Sequence, residues 1–327
     1  MILAIETSCD DTCAAVVDHG EIRSNVISSQ AASHAAFGGV VPEVASRQHL
    51  ELVNPVVDAA LSEAGIGLEE LDAVAVTRGP GLIGALLVGI SSAKALAAAR
   101  RLPMVEVDHL HGHVAANFLE PDPLEPPFLC LIASGGHTLL AGVRDRGGFE
   151  VLGQTLDDAA GEALDKAARI LGLGYPGGPE IQRLAASGDP HAYAFPIAMA
   201  RDPGFDFSFS GLKTSLFYVA RELDPDELSR SAADLAASFQ AAVVGQLEAK
   251  LSRALDAGDW PAVALGGGVA ANTLLRERVA ALCEERSVPL KLVAPELCTD
   301  NAAMIAAAAE HLALTRHPDY LGWDAKV

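Results

Sequence analysis

Aromatic residues are scarce in this chain. They make up 5% of its 327 residues, against 50% for apolar residues as a whole. The core is therefore expected to be aliphatic and alanine-rich, and large enough to exclude intrinsic disorder. Positive charge is also in short supply. Lysine and arginine number 23 against 43 acidic residues, a net charge of −20. That balance argues against a general nucleic-acid coat and against a binder of anionic membranes. It leaves open nucleic acid held at a local basic spot or through a basic partner. Cysteine is limited to Cys9, Cys13, Cys130, Cys283 and Cys298. The count is odd and no C-x-x-C occurs, so neither a disulfide framework nor a structural zinc site is expected. Reduced, mostly buried thiols in a cytosolic protein fit better. No stretch of about 18 residues is free of charges and breakers, so no spanning helix is expected. Residues 82–99 come closest, and there Gly84, Gly89, Ser91, Ser92 and Lys94 point to a packed helix. The start, MILAIETSCDD, lacks a basic region and reads as a strand rather than a signal peptide. The absence of G-x-x-x-x-G-K-S/T argues against a P-loop ATPase.

What is present alternates short apolar strands with amphipathic helices, the mark of an α/β architecture. The length suits two domains. Residues 2–5 and 13–17 read as a hairpin around the polar turn Thr7–Thr12. A helix is expected from Pro42 to about Ala64, ending at Gly65. Strands at 73–77 and 104–107 flank a long helix at 82–99, and a short helix follows from His109 to about Leu119. PDPLEPP, at 121–127, is the clearest linker. Beyond it, 128–133 and 138–143 form a second strand–turn–strand around Ser134–His137. This echo of the first hairpin suggests two similar domains in succession. Helices are expected at 157–171, 177–186, across 211–257, at 272–285 and at 300–314, with strands at 262–265 and 290–293. The last helix is expected to pack back on the first domain.

Four features carry chemistry. His109-Leu110-His111-Gly112-His113 puts three of the chain's ten histidines in five residues. In a helix, His109 and His113 share a face, where two imidazoles can hold one metal ion and a carboxylate commonly completes the site. The plainer reading is a polar helix start. A zincin is excluded, since Leu110 stands where the glutamate of H-E-x-x-H must be. Gly79-Pro80-Gly81-Leu82-Ile83-Gly84 satisfies G-x-G-x-x-G, with Glu106 and Asp108 near the place of a ribose-binding acid. That allows a nicotinamide oxidoreductase; the plainer reading is close helix–strand packing. Three polar turns follow strands, at Thr7–Asp10, Ser134–His137 and Gly266–Gly268, and could hold a nucleotide in a cleft between domains. Finally, in Cys298-Thr299-Asp300-Asn301, Thr299 or Asp300 either caps the last helix or gives a carboxylate to the histidine pair.

Taken in order, IETSCDDT, GGVVPEVASRQH, RGPGLIGALLVG, HLHGH, ASGGHT, DDAAGEALDKAARILGLGYPGGP, DFSFSGLKT, GGGVAAN and CTDNAAMIA cover residues 5 to about 307. With these motifs the chain resembles the TsaD family of tRNA N6-adenosine threonylcarbamoyltransferases. The resemblance implies two duplicated domains of the actin/Hsp70/sugar-kinase type (ASKHA) around a nucleotide cleft. The boundaries expected are 1–108, with about 303–327 packing back on it, and 109–302. It implies transfer of threonylcarbamoyl from threonylcarbamoyl-AMP to N6 of the adenine 3′ of the anticodon, in tRNAs reading ANN codons, with release of AMP. His109, His113 and Asp300 match the family's metal ligands for one divalent ion, iron foremost and zinc second. Ile132, Ala133, Ser134, Gly135 and Gly136 match its substrate-binding strand and turn. Asp165 and Gly178 match nucleotide contacts, and Asn272 the adenosine-side contact. Asp10 or Asp11 could orient the donor or take the N6 proton. The implied partners are tRNA, a TsaB-like paralogue seated on the helices at 42–64 and 82–99, and a TsaE-like ATPase. No membrane is implied, and the implied place is the cytoplasm. A TsaB-like scaffold without activity is the alternative, against which the metal residues speak.

This chain departs from the family pattern at its C-terminal YLGWDAKV, which lacks the Arg/Pro-rich ending common in bacterial members, and at three single residues. Asp11 stands where SCDET has glutamate, which shortens that carboxylate. His111 takes a position often held by an acid, as a possible spare ligand. Gln182 replaces an acid that reaches the ribose in many members. Arg78, Arg100, Arg101 and Lys213 are the candidate basic spot for tRNA.

Overall fold

The computed structural model describes residues 1–199 and 202–326; Ala200, Arg201 and Val327 lie outside the described residues. The chain divides into two units. The first comprises Met1–Pro126, Asp145–Phe149 and Thr299–Val327, and the second Pro127–Arg144 and Glu150–Cys298.

The first unit is built on five strands: β1 (Ile2–Glu6), β2 (Asp11–Asp18), β3 (Glu21–Ser29), β4 (Ala73–Gly79) and β5 (Met104–Asp108). Their order is β3-β2-β1-β4-β5. β1, β2 and β3 run antiparallel in sequence, and β4 and β5 run parallel to β1. β1 and β4 are continuous apolar runs because they are central and covered on both faces. Leu3, Ile5, Ala14, Val16, Val74 and Val76 form one apolar face. Against it pack Val53 and Val57 of the helix Pro42–Ala64 and Leu86 and Ile90 of the helix Ile83–Arg100. After α1 (Ala31–Ala35), these two helices are α2 and α3. α2 starts on proline and ends at Gly65 with φ 70°, a left-handed cap. α3 is long and apolar enough to cross a membrane by composition, but its Leu86, Gly89, Ile90 and Ala93 are buried in this packing. α4 (His109–Ala115) follows β5 directly.

The second unit repeats the plan. β6 (Phe128–Ala133), β7 (Thr138–Asp145), β8 (Gly148–Gln154), β9 (Val263–Gly266) and β10 (Leu290–Lys291) lie in the order β10-β9-β6-β7-β8. With β6 in the place of β1, the order is that of the first sheet. Its helices are α5 (Ala160–Ile170), α6 (Gly177–Ala185), α7 (Ser210–Glu222), α8 (Pro225–Ala257) and α9 (Thr273–Glu285), then the short α10 (Pro295–Cys298). The last helix of the chain, α11 (Ala302–Ala309), belongs to the first unit and packs on β1, β2 and α4.

The structure departs from the sequence reading in three ways. The boundary expected at 108/109 falls after Pro126, because α4 packs on β5 and α11 and stays with the first unit. The helix expected over 300–314 is confined to Ala302–Ala309; the chain then turns so that Thr315 pairs with Met104 on β5. β3 and β8 were not foreseen, because these outer strands are polar and partly exposed.

Candidate metal centre and substrate loops

Asp108 ends β5 and caps α4. Its Oδ1 accepts the backbone N–H groups of Leu110 at 2.8 Å and His111 at 3.2 Å. The helix therefore starts at His109, and one turn on His113 lies over the same face. The two rings meet edge-to-face with centroids 4.7 Å apart. Asp300 joins them from the segment before α11. Its Oδ1 lies 3.5 Å from His109 Nε2 and 3.4 Å from His113 Nε2. One donor atom from each residue fits within 4.8 Å of the others. The cap of α11 is Asn301, whose Oδ1 accepts Met304 N–H at 3.0 Å. Neither Thr299 nor Asp300 is needed for that task, which leaves the Asp300 carboxylate to the histidines.

The donor set fits a divalent ion. Two imidazoles and one carboxylate suit iron(II) or zinc. His113 is fully buried, and neither ring nitrogen has a well-formed hydrogen bond. A buried polar atom without a partner costs free energy unless something satisfies it. His111, by contrast, points elsewhere: its Nε2 donates to the Arg146 carbonyl at 3.1 Å. It is no spare ligand.

Gly112 explains how two distant segments meet here. A Cβ at this position would stand 2.7 Å from Ile305 Cδ1 and 3.2 Å from Met304 Cγ, both on α11. Ile305 can swing away from an alanine, but a branched side chain has no such room. Gly112→Val is expected to cost about 1–3 kcal/mol by overpacking and to displace α11, with Asp300, from the histidines. A melt and a Co2+ titration check this; an unchanged affinity would show that α11 does not set the Asp300 position.

The site contains groups that the sequence reading missed. Glu6, at the end of β1, is fully buried with Oε2 3.0 Å from His109 Nδ1. Thr77 donates to the same oxygen at 2.6 Å, and the Ser8 backbone N–H donates to the other. Ser8 Oγ lies 3.1 Å from His109 Nδ1. The available signal was a carboxylate closing an otherwise apolar strand. Burial opposes the charged His109 imidazolium, but Asp300 and Glu6 outweigh it and push the ring up to about 9. Burial keeps His113 below its ordinary value.

The first turn carries Asp10 and Asp11, and a closed polar network fixes it. His49 Nε2 donates to the Cys9 carbonyl at 2.9 Å. Its Nδ1 accepts from Thr12 Oγ1 at 2.8 Å and from Gln30 Nε2 at 3.3 Å. Both donors demand a neutral ring, and burial favours one by lowering the His49 pKa. Asp11 Oδ1 is buried without a hydrogen bond. Burial, reinforced by the charges of Asp300, Asp10 and Glu6 against a bond from Ser29, pushes this carboxyl up to about 7.

In the second unit, Ile132 and Ala133 are fully buried in β6 and reach the turn only through the backbone. Ser134 N–H donates to His137 O at 2.8 Å, and Ser134 Oγ accepts from His137 N–H at 3.1 Å. Among the described residues, the Gly135 and Gly136 N–H groups have no such bond. Gly161 and Gly267 let neighbouring segments approach this turn: a Cβ on Gly161 would lie 2.6 Å from Ser134 O, and one on Gly267 would overlap Ala133 O. Gly267 also has φ 86°, ψ 157°, a region essentially reserved for glycine. Gly267→Ala is expected to destabilise the fold by about 2–5 kcal/mol, strain and overlap together, as chemical denaturation would show.

Asp165 Oδ1 accepts Gly177 N–H at 2.7 Å, which brings it to the turn that holds Gly178. Asn272 caps α9, accepting Leu275 N–H at 3.0 Å, and its Nδ2 donates to Gln240 at 2.9 Å. Gln182 Oε1 accepts Thr273 N–H at 2.8 Å beside it.

The Gly79–Gly84 loop is packed rather than open. A Cβ on Gly81 would lie 2.6 Å from Ser8 O, and Leu82 N–H donates to that carbonyl at 2.8 Å. Glu106 pairs with Arg78 and Lys326, and Asp108 is a helix cap. The loop and acids of the nicotinamide reading are thus occupied by the protein itself. Arg78, stacked on Trp323 as well, is likewise committed.

A five-strand unit made twice in one order, with a two-histidine, one-carboxylate centre after β5, defines a class: an ASKHA-type protein with a candidate metal centre. In fold it is similar to component A of the Acidaminococcus fermentans (R)-2-hydroxyglutaryl-CoA dehydratase, with a TM-score of 0.54 at 16% identity over 94% of this chain and 95% of that one. The particular family comes from sequence comparison. The TsaD family model, tRNA N6-adenosine threonylcarbamoyltransferase, matches residues 21–307. The protein of that name from Symbiobacterium thermophilum is 54% identical over 95% of this chain and 91% of its own length. The one from Clostridium perfringens strain SM101 is 50% identical over 94% and 91%. The chain belongs to the TsaD family. It is an enzyme that transfers a threonylcarbamoyl group to N6 of a tRNA adenosine, and the family implies dependence on a metal.

Proposed function

We propose that the donor is threonylcarbamoyl-AMP and the acceptor the adenine 3′ of the anticodon in tRNAs reading ANN codons. The juxtaposition of His109, His113 and Asp300 carries this reading, since a scaffold has no use for it. These residues would hold iron, with zinc as the second choice. A bound divalent ion supplies Lewis acidity and a template for the oxygens of the donor.

The donor is a mixed carbamic–phosphoric anhydride. Attack by N6 on the carbamoyl carbon forms the C–N bond, breaks the C–O bond to phosphate and releases AMP. N6 loses one proton in the process. Asp11, half-buried with its carboxyl pushed up to about 7, suits that proton. Asp10, one residue before it, orients the donor. The N–H groups of Gly135 and Gly136 favour negative charge developing on the donor. Asp165, Gly178 and Asn272 contact its nucleotide; the bonds of Asn272 to Leu275 and Gln240 orient its amide and leave one N–H and one lone pair for that contact.

α2 and α3 pack together and expose Leu50, Ile83 and Leu87, which suits a TsaB-like partner. A TsaE-like ATPase completes the assembly, in the cytoplasm. For tRNA, Arg101 and Arg316 form no ion pair among the described residues and line, with Pro103 and His317, a hollow of about 330 Å³. That is a local basic spot on an acidic chain.

Reconstitution tests the proposal. The protein, with its TsaB and TsaE counterparts, is given threonylcarbamoyl-AMP and unmodified tRNA for an ANN codon. Nucleoside mass spectrometry should find threonylcarbamoyladenosine at that adenine. Failure with assembled, metal-loaded protein would favour a different donor or acceptor.

A further inference from the structure

A carboxylate buried as deeply as Glu6 needs a reason. Removing a charge from water is expensive unless it is paired and hydrogen-bonded. Among the described residues, no lysine or arginine pairs with Glu6; its one cationic neighbour is His109. Its oxygens are otherwise held by Thr77 Oγ1 and by the Ser8 N–H. Both of these bonds come from groups that cannot rotate freely, one on β4 and one in the first turn. The carboxylate is therefore aimed at His109 Nδ1.

That aim decides what the other nitrogen does. An ionised carboxylate only accepts, so the 3.0 Å contact requires a proton on His109 Nδ1. Nε2, facing Asp300 and His113, is then the nitrogen that gives up its proton and offers a lone pair when a metal binds. Charge gives a second argument. Two neutral imidazoles and Asp300 bring one negative charge to a divalent ion, and Glu6 brings the second into the same buried region. We propose that Glu6 is the positioning residue of the metal centre: it commits His109 to bind through Nε2 and completes the neutralisation of a divalent ion. This rests on reading His109, His113 and Asp300 as the metal centre.

The test is Co2+ titration of the full-length protein, read by visible absorption, with circular dichroism of the metal-free forms. Glu6→Gln keeps the shape but removes the charge and the obligatory acceptor. It should weaken Co2+ binding about 10- to 100-fold, as loss of a group that orients a ligand does, and change the ligand-field spectrum while the fold persists. Glu6→Asp, with its charge kept on a shorter side chain, should recover part of the affinity. Equal affinity and an unchanged spectrum in Glu6→Gln would overturn the proposal. If Glu6→Gln does not fold, Thr77→Val, which frees the carboxylate without removing it, should still weaken binding several-fold; binding as in wild type would overturn the proposal equally. A wild-type protein that binds no Co2+ would overturn the metal reading itself, a result distinct from either of these.

Discussion

Replacing His109 and His113 together by alanine is expected to abolish metal binding and lower threonylcarbamoyl transfer about 10³-fold or more, the scale of several kcal/mol of lost transition-state stabilisation. Metal analysis after gel filtration, beside the reconstitution assay, reads both effects. Product from the double variant at near wild-type rate would remove the metal from its essential role and keep the function. The metal-free wild type should show the origin of the effect in its proton balance. His109, pushed up to about 9, is protonated at neutral pH without metal, and a metal must displace that proton. Affinity should therefore rise by roughly tenfold per pH unit up to about 9. Stability of the metal-free form has the opposite slope. A histidine with a raised pKa contributes stability that is fully present below its unfolded value near 6.5. That contribution is lost as pH rises through about 9.

Asp11→Asn is expected to lower activity about 10²- to 10³-fold while making the protein more stable above neutral pH. The loss is that of a positioned proton acceptor. The wild-type rate should fall with acid as Asp11, pushed up to about 7, takes up a proton; in Asp11→Asn that limb disappears. A bound divalent ion offsets the Asp300 charge that helps to raise this carboxyl, so in the loaded enzyme the limb moves to lower pH. The stability sign follows from the same shift. A carboxyl whose folded pKa lies above its unfolded value near 4 binds more protons in the native state between the two. Stability therefore falls as pH rises from about 4 to about 7. Asparagine removes that slope, so the melting temperature of Asp11→Asn should exceed the wild type's at pH 8 and match it near pH 4. A variant that is inactive and also less stable at pH 8 would point to a structural role for Asp11 instead. The coexistence of lower activity with higher stability is the usual mark of a destabilised group kept for chemistry.

Much of the molecule could be read from its sequence. Pro42 and Gly65 bracket α2 as expected, since caps are local chemistry. β6 spans the expected residues, bounded by a proline-rich linker and a glycine turn. The likeness of the two hairpins anticipated two sheets of one strand order. Helical spacing alone placed His109 and His113 on one face. By contrast, β3, β8, the end of α11 and the limits of the units were not legible. Edge strands lack an apolar signature, and an alanine run does not show where packing will stop it.

The sequence by itself determined the α/β class, the repeated hairpin, the polar turns and the histidine pair. Each of these depends on residues a few positions apart, where backbone geometry alone fixes what is a neighbour. Only the tertiary structure decided that Asp300 faces both histidines, that His111 turns away to Arg146, and that Gly79–Gly84 packs on Ser8. It alone placed Glu6 behind His109. These contacts join segments far apart in the chain. Strand order and the close seating of α11 on Gly112 bring them together, and no spacing in the sequence encodes them.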